Sequence, residues 1–139
     1  MSIEETEKEI VEEFDLFDSD WEGKYEHLIE LGKSLPLLAP ENKTPDKLIK
    51  GCQSQVWLHT EKKEDKIIYT ADSDAIITKG LIALMIRVLS HHKADEIVNA
   101  KLDFIDQIGL KEHLSPTRSN GLLSMVKQMK MDALALSKI

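Results

Sequence analysis

The stretch VWLHTEKKEDKIIYTADSDAIITKGLIALMIRVL, Val56 to Leu89, decides the fold. Val56, Leu58 and Thr60 alternate with Trp57 and His59, the period-two pattern of a half-buried strand. A charged turn, Glu61–Asp65, leads into Lys66–Ala71, where Ile67, Ile68 and Tyr69 again favour strand. The two segments read as an antiparallel hairpin, because parallel strands would need a long crossover between them. Asp72–Ser73–Asp74 then supplies residues suited to capping a helix. Ala75–Leu89 is apolar nearly all round, so that helix must be covered on most sides and is the candidate core.

On the N-terminal side, Ile10, Phe14 and Phe17 recur at spacings of four and three, which predicts a helix over Thr6–Phe17 with one apolar face among carboxylates. A second helix is expected to begin near Ser19 or Asp20, capped by Asp20. Its stripe is Trp21, Tyr25, Leu28, Leu31 and Leu35, and Pro36 stops it. Pro36–Lys50 holds three prolines and reads as a connecting loop that rejoins regular structure at Leu48 and Ile49. On the C-terminal side, short helices are expected over Ala94–Ala100 and Phe104–Ile108, the latter stopped by Gly109. A last helix is expected over Ser119–Ser137, with Leu122, Val126, Met129, Ala133 and Leu136 as its packing seam. The expected class is α+β, with a small antiparallel hairpin packed against several helices in one domain over residues 1–139.

A chain of 139 residues can bury roughly two thirds of its unfolded surface, so one core suffices without a metal or disulfide. Its 42% hydrophobic and 31% charged residues are those of an ordinary globular protein. The net charge of −7, concentrated from Glu4 to Glu30, argues against nucleic acid, whose backbone demands clustered Lys and Arg. The Ala75–Leu89 run is broken by Thr78, Lys79 and Arg87 and falls short of the roughly 20 apolar residues of a membrane span. Cys52 is the only cysteine, and the N-terminus lacks the basic-then-apolar pattern of a secretory signal, so a reducing cytoplasm is the expected compartment.

A lone cysteine is commonly a packed core residue. Around Cys52, however, Gly51 permits an unusual backbone and Gln53 and Ser54 are polar, so a turn beside the hairpin fits better than a core strand. An unperturbed thiol, with a pKa near 8.5, is about 3% ionised at pH 7, and exposed Lys50 two residues away adds at most about 1 kcal/mol. Such a thiol suits a carrier whose reactivity is completed by its partner. A cysteine hydrolase would need His59 or His113 bonded to the thiol. His91 and His92 diverge by about 100° on a helix, so they read as helix-end residues and not as a metal pair. Asp72 and Asp74 are explained by capping more simply than as an acid pair.

Gly51–Cys52–Gln53–Ser54–Gln55–Val56–Trp57 resembles the signature of the SufE family of cysteine desulfuration proteins, which includes the CsdE proteins. Three further blocks resemble the family in order. They are Trp21–Glu22–Gly23–Lys24–Tyr25 with Leu31–Gly32 and Leu35–Pro36, then Asp72–Ser73–Asp74–Ala75 with Lys79–Gly80–Leu81, then His113 through Leu122. The resemblance covers about residues 10 to 137. It implies a sulfur acceptor for iron–sulfur cluster assembly, in which Cys52 takes a persulfide sulfur from a SufS- or CsdA-like cysteine desulfurase, stimulates that enzyme and passes the sulfur to a SufB-containing complex. The pyridoxal phosphate of such a reaction belongs to the desulfurase, so no cofactor is assigned to this chain. Gly51, Gln53, Ser54, Asp74 and Arg118 lie in the matching blocks and are the supporting candidates, with Arg118 read either as a contact to the partner or a sulfur anion, or as a structural salt bridge. The alternative is a noncatalytic regulator that docks on the desulfurase while Cys52 only packs.

Overall fold

The computed structural model describes residues 2–36 and 38–138, so Leu37 of the connecting segment lies outside the described residues. Strands β1, Val56–Lys63, and β2, Lys66–Ser73, pair antiparallel in a two-stranded sheet, from Val56 opposite Ser73 to Lys63 opposite Lys66. The ladder runs further than the alternation suggested, and the turn shrinks to Glu64 and Asp65, with Glu64 left-handed at φ 59°. Val56, Leu58, Ile67, Tyr69 and Ala71 point into the core, and the buried Tyr69 hydroxyl donates to the Met129 carbonyl at 2.6 Å. A buried phenol needs such an acceptor, since desolvation without one costs about 1–3 kcal/mol.

Helix α1, Ile3–Asp15, begins earlier and ends earlier than expected. Ser2 and Glu5 form a reciprocal capping box that starts it, and Leu16 and Phe17 fall in the turn that follows. Helix α2, Trp21–Lys33, has the expected Asp20 cap, whose carboxylate accepts from the Gly23 N–H at 3.2 Å. Two short 3₁₀ turns, Pro40–Asn42 and Pro45–Lys47, punctuate the proline-rich segment before Leu48 bridges to Trp57.

Helix α3, Ile76–Leu89, is the central element: Leu81, Ile82, Leu84, Met85, Val88 and Leu89 are buried together. Each large aliphatic side chain so buried contributes roughly 1.5–3 kcal/mol. Arg87, where the helix reaches the surface, ties it to α1 through Glu9 and Glu13. The expected cap is corrected. Ala75 is the N-cap residue and no side chain caps α3; Asp72 and Ser73 finish β2 instead.

Short helices α4, Ala94–Asn99, and α5, Phe104–Gln107, fall where expected. Gly109, left-handed at φ 78°, ends α5 and immediately starts a further turn, α6, Leu110–His113. The last helix, α7, spans Pro116–Leu136 and begins three residues before the expected Ser119. Ser115 caps it, its hydroxyl accepting from the Arg118 N–H at 3.2 Å, and Pro116 occupies the first helical position, where a missing N–H costs nothing. Leu122, Met125, Met129 and Ala133 carry its seam into the core shared with α3 and the hairpin.

Candidate functional site: a cysteine in a cleft between two helix starts

The segment ahead of β1 lies along α7. Gly51 adopts φ 93°, a conformation that side chains other than hydrogen rarely take, and it passes so close to Ser124 that a Cβ there would collide with the hydroxyl. The next residue, Cys52, rests half-buried against Gly121, where a Cβ added to the glycine would sit 3.6 Å from the sulfur. The thiol donates to the Gly121 carbonyl at 3.6 Å. Burial pushes the Cys52 thiol above its ordinary pKa, and a thiol that donates to a carbonyl is further held in its protonated form. The folded chain therefore keeps Cys52 neutral and tucked in.

Asp74 serves this loop. Its carboxylate accepts the Gln55 N–H at 3.0 Å, and its own N–H donates to the Gln55 carbonyl at 3.2 Å. The Ser73 hydroxyl accepts the Ala75 N–H at 3.2 Å just ahead of the helix, so neither Ser73 nor Asp74 caps α3. Asp72 is nearly buried between Lys43, at 2.8 Å, and Lys79, at 3.3 Å. Burial alone would raise its pKa, but the two ammonium groups and the Ser73 N–H hold the carboxyl below its ordinary range. It pins the proline-rich segment to β2 and α3.

Cys52 opens onto a cleft of about 380 Å³ between its own loop, the start of α3 and the start of α7. Gln53 and Ser54 line it from the loop, Thr78 and Leu81 from α3, and Thr117, Arg118, Gly121 and Met125 from α7. Of the residues singled out in the sequence, Cys52, Gln53, Ser54 and Arg118 thus meet in one place, with Gly51 behind them and Asp74 at the rim. Arg118 is exposed and makes no ion pair among the described residues, which corrects the salt-bridge reading of that side chain. Thr78, Thr117 and Gly121 were not read as site residues, although Thr117 and Gly121 lie in the family-like block His113–Leu122 and Thr78 was noted only as a break in the apolar run. Ser115–Pro116, an N-cap followed by an N1 proline, marks where α7 starts.

The histidines are elsewhere. His59 bonds Lys47 at 2.9 Å and Glu61 at 2.8 Å, and His113 stacks on Trp21 with ring centres 3.9 Å apart. Neither lines the cleft, and among the described residues the Cys52 thiol bonds Gly121 and no histidine, unlike the Cys–His pair of a cysteine hydrolase. His91 and His92 follow the end of α3, as expected. No group of three or more metal-ligating side chains that could hold an ion occurs among the described residues. Nor is any helix among them long and apolar enough to cross a membrane.

Residues 8–133, nearly the whole of this fold and all of its cleft, match the SufE Fe–S metabolism associated domain. The chain belongs to the SufE family. As a SufE-family protein, its role lies in iron–sulfur metabolism. An uncharacterized SufE-like protein of Rhizobium etli is 45% identical over 132 residues, covering 90% of this chain and 87% of that one. A second, from Rhizobium meliloti, is 39% identical over 130 residues, covering 90% and 92%. The SufE-like protein 1 of Arabidopsis thaliana, named as chloroplastic and mitochondrial, is 42% identical over 137 residues, which are 96% of this chain and 37% of that longer protein. The fold is also that of a hypothetical protein from Thermus thermophilus solved in solution, at a TM-score of 0.75 and 19% identity, covering 94% of this chain and 96% of that one.

Proposed function

We propose that this SufE-family chain is a sulfur carrier for iron–sulfur cluster assembly, with Cys52 as the acceptor. The observation that carries the reading is the placement of the single thiol on a loop that starts at positive-φ Gly51, at a cleft lined by no histidine or carboxylate among the described residues. In the proposed step the Cys52 thiolate attacks the outer sulfur of a persulfide on a cysteine desulfurase. A bond forms between Cys52 Sγ and that sulfur, the donor's sulfur–sulfur bond breaks, and its electron pair leaves on the donor as thiolate. The sulfur moves without net oxidation or reduction of the pair, and the pyridoxal phosphate chemistry that made the donor persulfide stays with the desulfurase.

The tucked thiol is a poor nucleophile, because only the thiolate attacks and burial opposes its formation. Docking on a SufS- or CsdA-like partner must break the contact with the Gly121 carbonyl and draw Cys52 out of the cleft, with Gly51 as the pivot. The exposed guanidinium of Arg118 stands at the same mouth, where it can meet the partner or the sulfur anion. Onward delivery to a SufB-containing assembly complex, and a reducing cytoplasm in which an unpaired thiol persists, complete the reading.

The alternative, a noncatalytic docking regulator, differs in one variant. With Cys52→Ser, a carrier loses its stimulation of desulfurase turnover while still binding the enzyme. Stimulation at the wild-type level by the serine variant would establish the regulator instead.

A further inference from the structure

Thr78 is 8% exposed and lies in the first turn of α3, where it lines the cleft beside Cys52. Its hydroxyl has no hydrogen-bond partner among the described residues. That hydroxyl is not sealed off, since Glu7 Oε1 is the one fully enclosed side-chain polar atom without a partner among the described residues; the hydroxyl opens into the cleft, where a ligand can reach it. Thr117, in the first turn of α7, faces the same cleft, also without a side-chain partner among the described residues.

The surroundings define what that partner is. Two long helices, α3 with 14 residues and α7 with 21, bring their first turns to this cleft, and each N-terminus carries about half a positive charge. α3 has no side-chain cap to absorb it. Among the described residues, Arg118 is the only charged side chain lining the cleft and no carboxylate lines it; Asp74 is engaged with Gln55 at the rim. Two positive helix ends, one guanidinium and unpartnered hydroxyls make a site for an anion.

Resting on the carrier function proposed above, we infer that Thr78 is a persulfide-binding residue, donating its hydroxyl hydrogen to the terminal sulfur anion of loaded Cys52 within this cleft. The unloaded thiol does not need this bond, since it donates to the Gly121 carbonyl. Adding one sulfur turns the end of the side chain from a hydrogen-bond donor into an acceptor, because a persulfide is more acidic than the thiol it came from. The added atom also lengthens a side chain that lines the same cleft as Thr78. The two states of Cys52 thus take different partners, and the loaded one is retained as an anion inside the protein, where cytosolic thiols reach it slowly.

The test uses the full-length chain, loaded with sulfane sulfur by inorganic polysulfide so that no desulfurase is involved. Wild type, Thr78→Val and Thr78→Ser are compared by the half-life of the added sulfur toward a small thiol, by mass spectrometry, and by spectroscopic titration of the persulfide. A hydrogen bond to a charged acceptor is worth enough to change each quantity about tenfold. Thr78→Val is expected to shorten the half-life roughly tenfold and raise the persulfide pKa by about one unit. Alkylation of its unloaded Cys52 should remain as in the wild type, and Thr78→Ser should stay within about twofold of the wild type. Sulfur held by all three proteins with equal half-lives and equal persulfide titration would overturn the role of Thr78 and leave the carrier function standing. Failure of wild-type Cys52 to hold sulfur from polysulfide, or from a desulfurase that binds it, would remove both.

Discussion

At the residue scale the decisive pair is Gly51 and Cys52. Gly51 was legible as a residue that permits an unusual backbone and Cys52 as a reactive candidate, because both lie within one short motif. The sequence could not reveal that Gly51 abuts Ser124 or that Cys52 bonds Gly121, contacts made across 69 residues or more. Gly51→Ala must accept a positive φ, at roughly 1–2 kcal/mol, and a collision with Ser124. The loop is expected to open, so Cys52 in this variant should alkylate about tenfold faster than in the wild type at equal pH. Unchanged alkylation would mean that the loop is open already. The wild-type thiol itself should titrate above the same thiol in the unfolded chain, read as the midpoint of alkylation rate against pH. Because the folded state holds this proton more tightly, its contribution to stability is intact below the unfolded thiol's pKa and is lost as pH rises through the folded value.

At the element scale, periodicity located every helix of more than two turns and both strands, since each carries an apolar face in register with its own geometry. Boundaries were missed where side chains outside the apolar pattern set them. Ser2 and Glu5 lengthen α1 at its start, and Ser115 with Pro116 moves the start of α7 back to the cleft. Helix α6 escaped because Gly109, read only as a stop, ends one helix and begins another. The close crossing of α2 on α3 was equally invisible. There Gly32 and Gly80 face each other, and a Cβ on Gly80 would overlap the backbone carbonyl of Leu28. Gly80→Ala cannot be absorbed by a side-chain rotation, so it should cost roughly 1–3 kcal/mol. A lower denaturant midpoint at constant slope is the expected reading. An unchanged midpoint would show that the two helices separate freely.

At the scale of the whole molecule, a hairpin and a central helix build one core, and the N-terminal turns of α3 and α7 are left facing the cysteine loop. The class of the fold was readable from Val56–Leu89 alone, because a strand pair followed by an all-round apolar helix has few ways to bury itself. The site was not, since a cleft is a property of elements brought together from distant parts of the chain. In the proposed function, the assembly keeps a single thiol protonated and half-buried until a partner draws it out. The direct check is intact-protein mass spectrometry after incubation with a cysteine desulfurase and free cysteine, on the wild type and Cys52→Ser. The wild type should gain one or more sulfur atoms, removable by reductant, and Cys52→Ser should gain none. No gain on a wild-type chain that demonstrably binds an active desulfurase, or an equal gain on the serine variant, would contradict Cys52 as the acceptor.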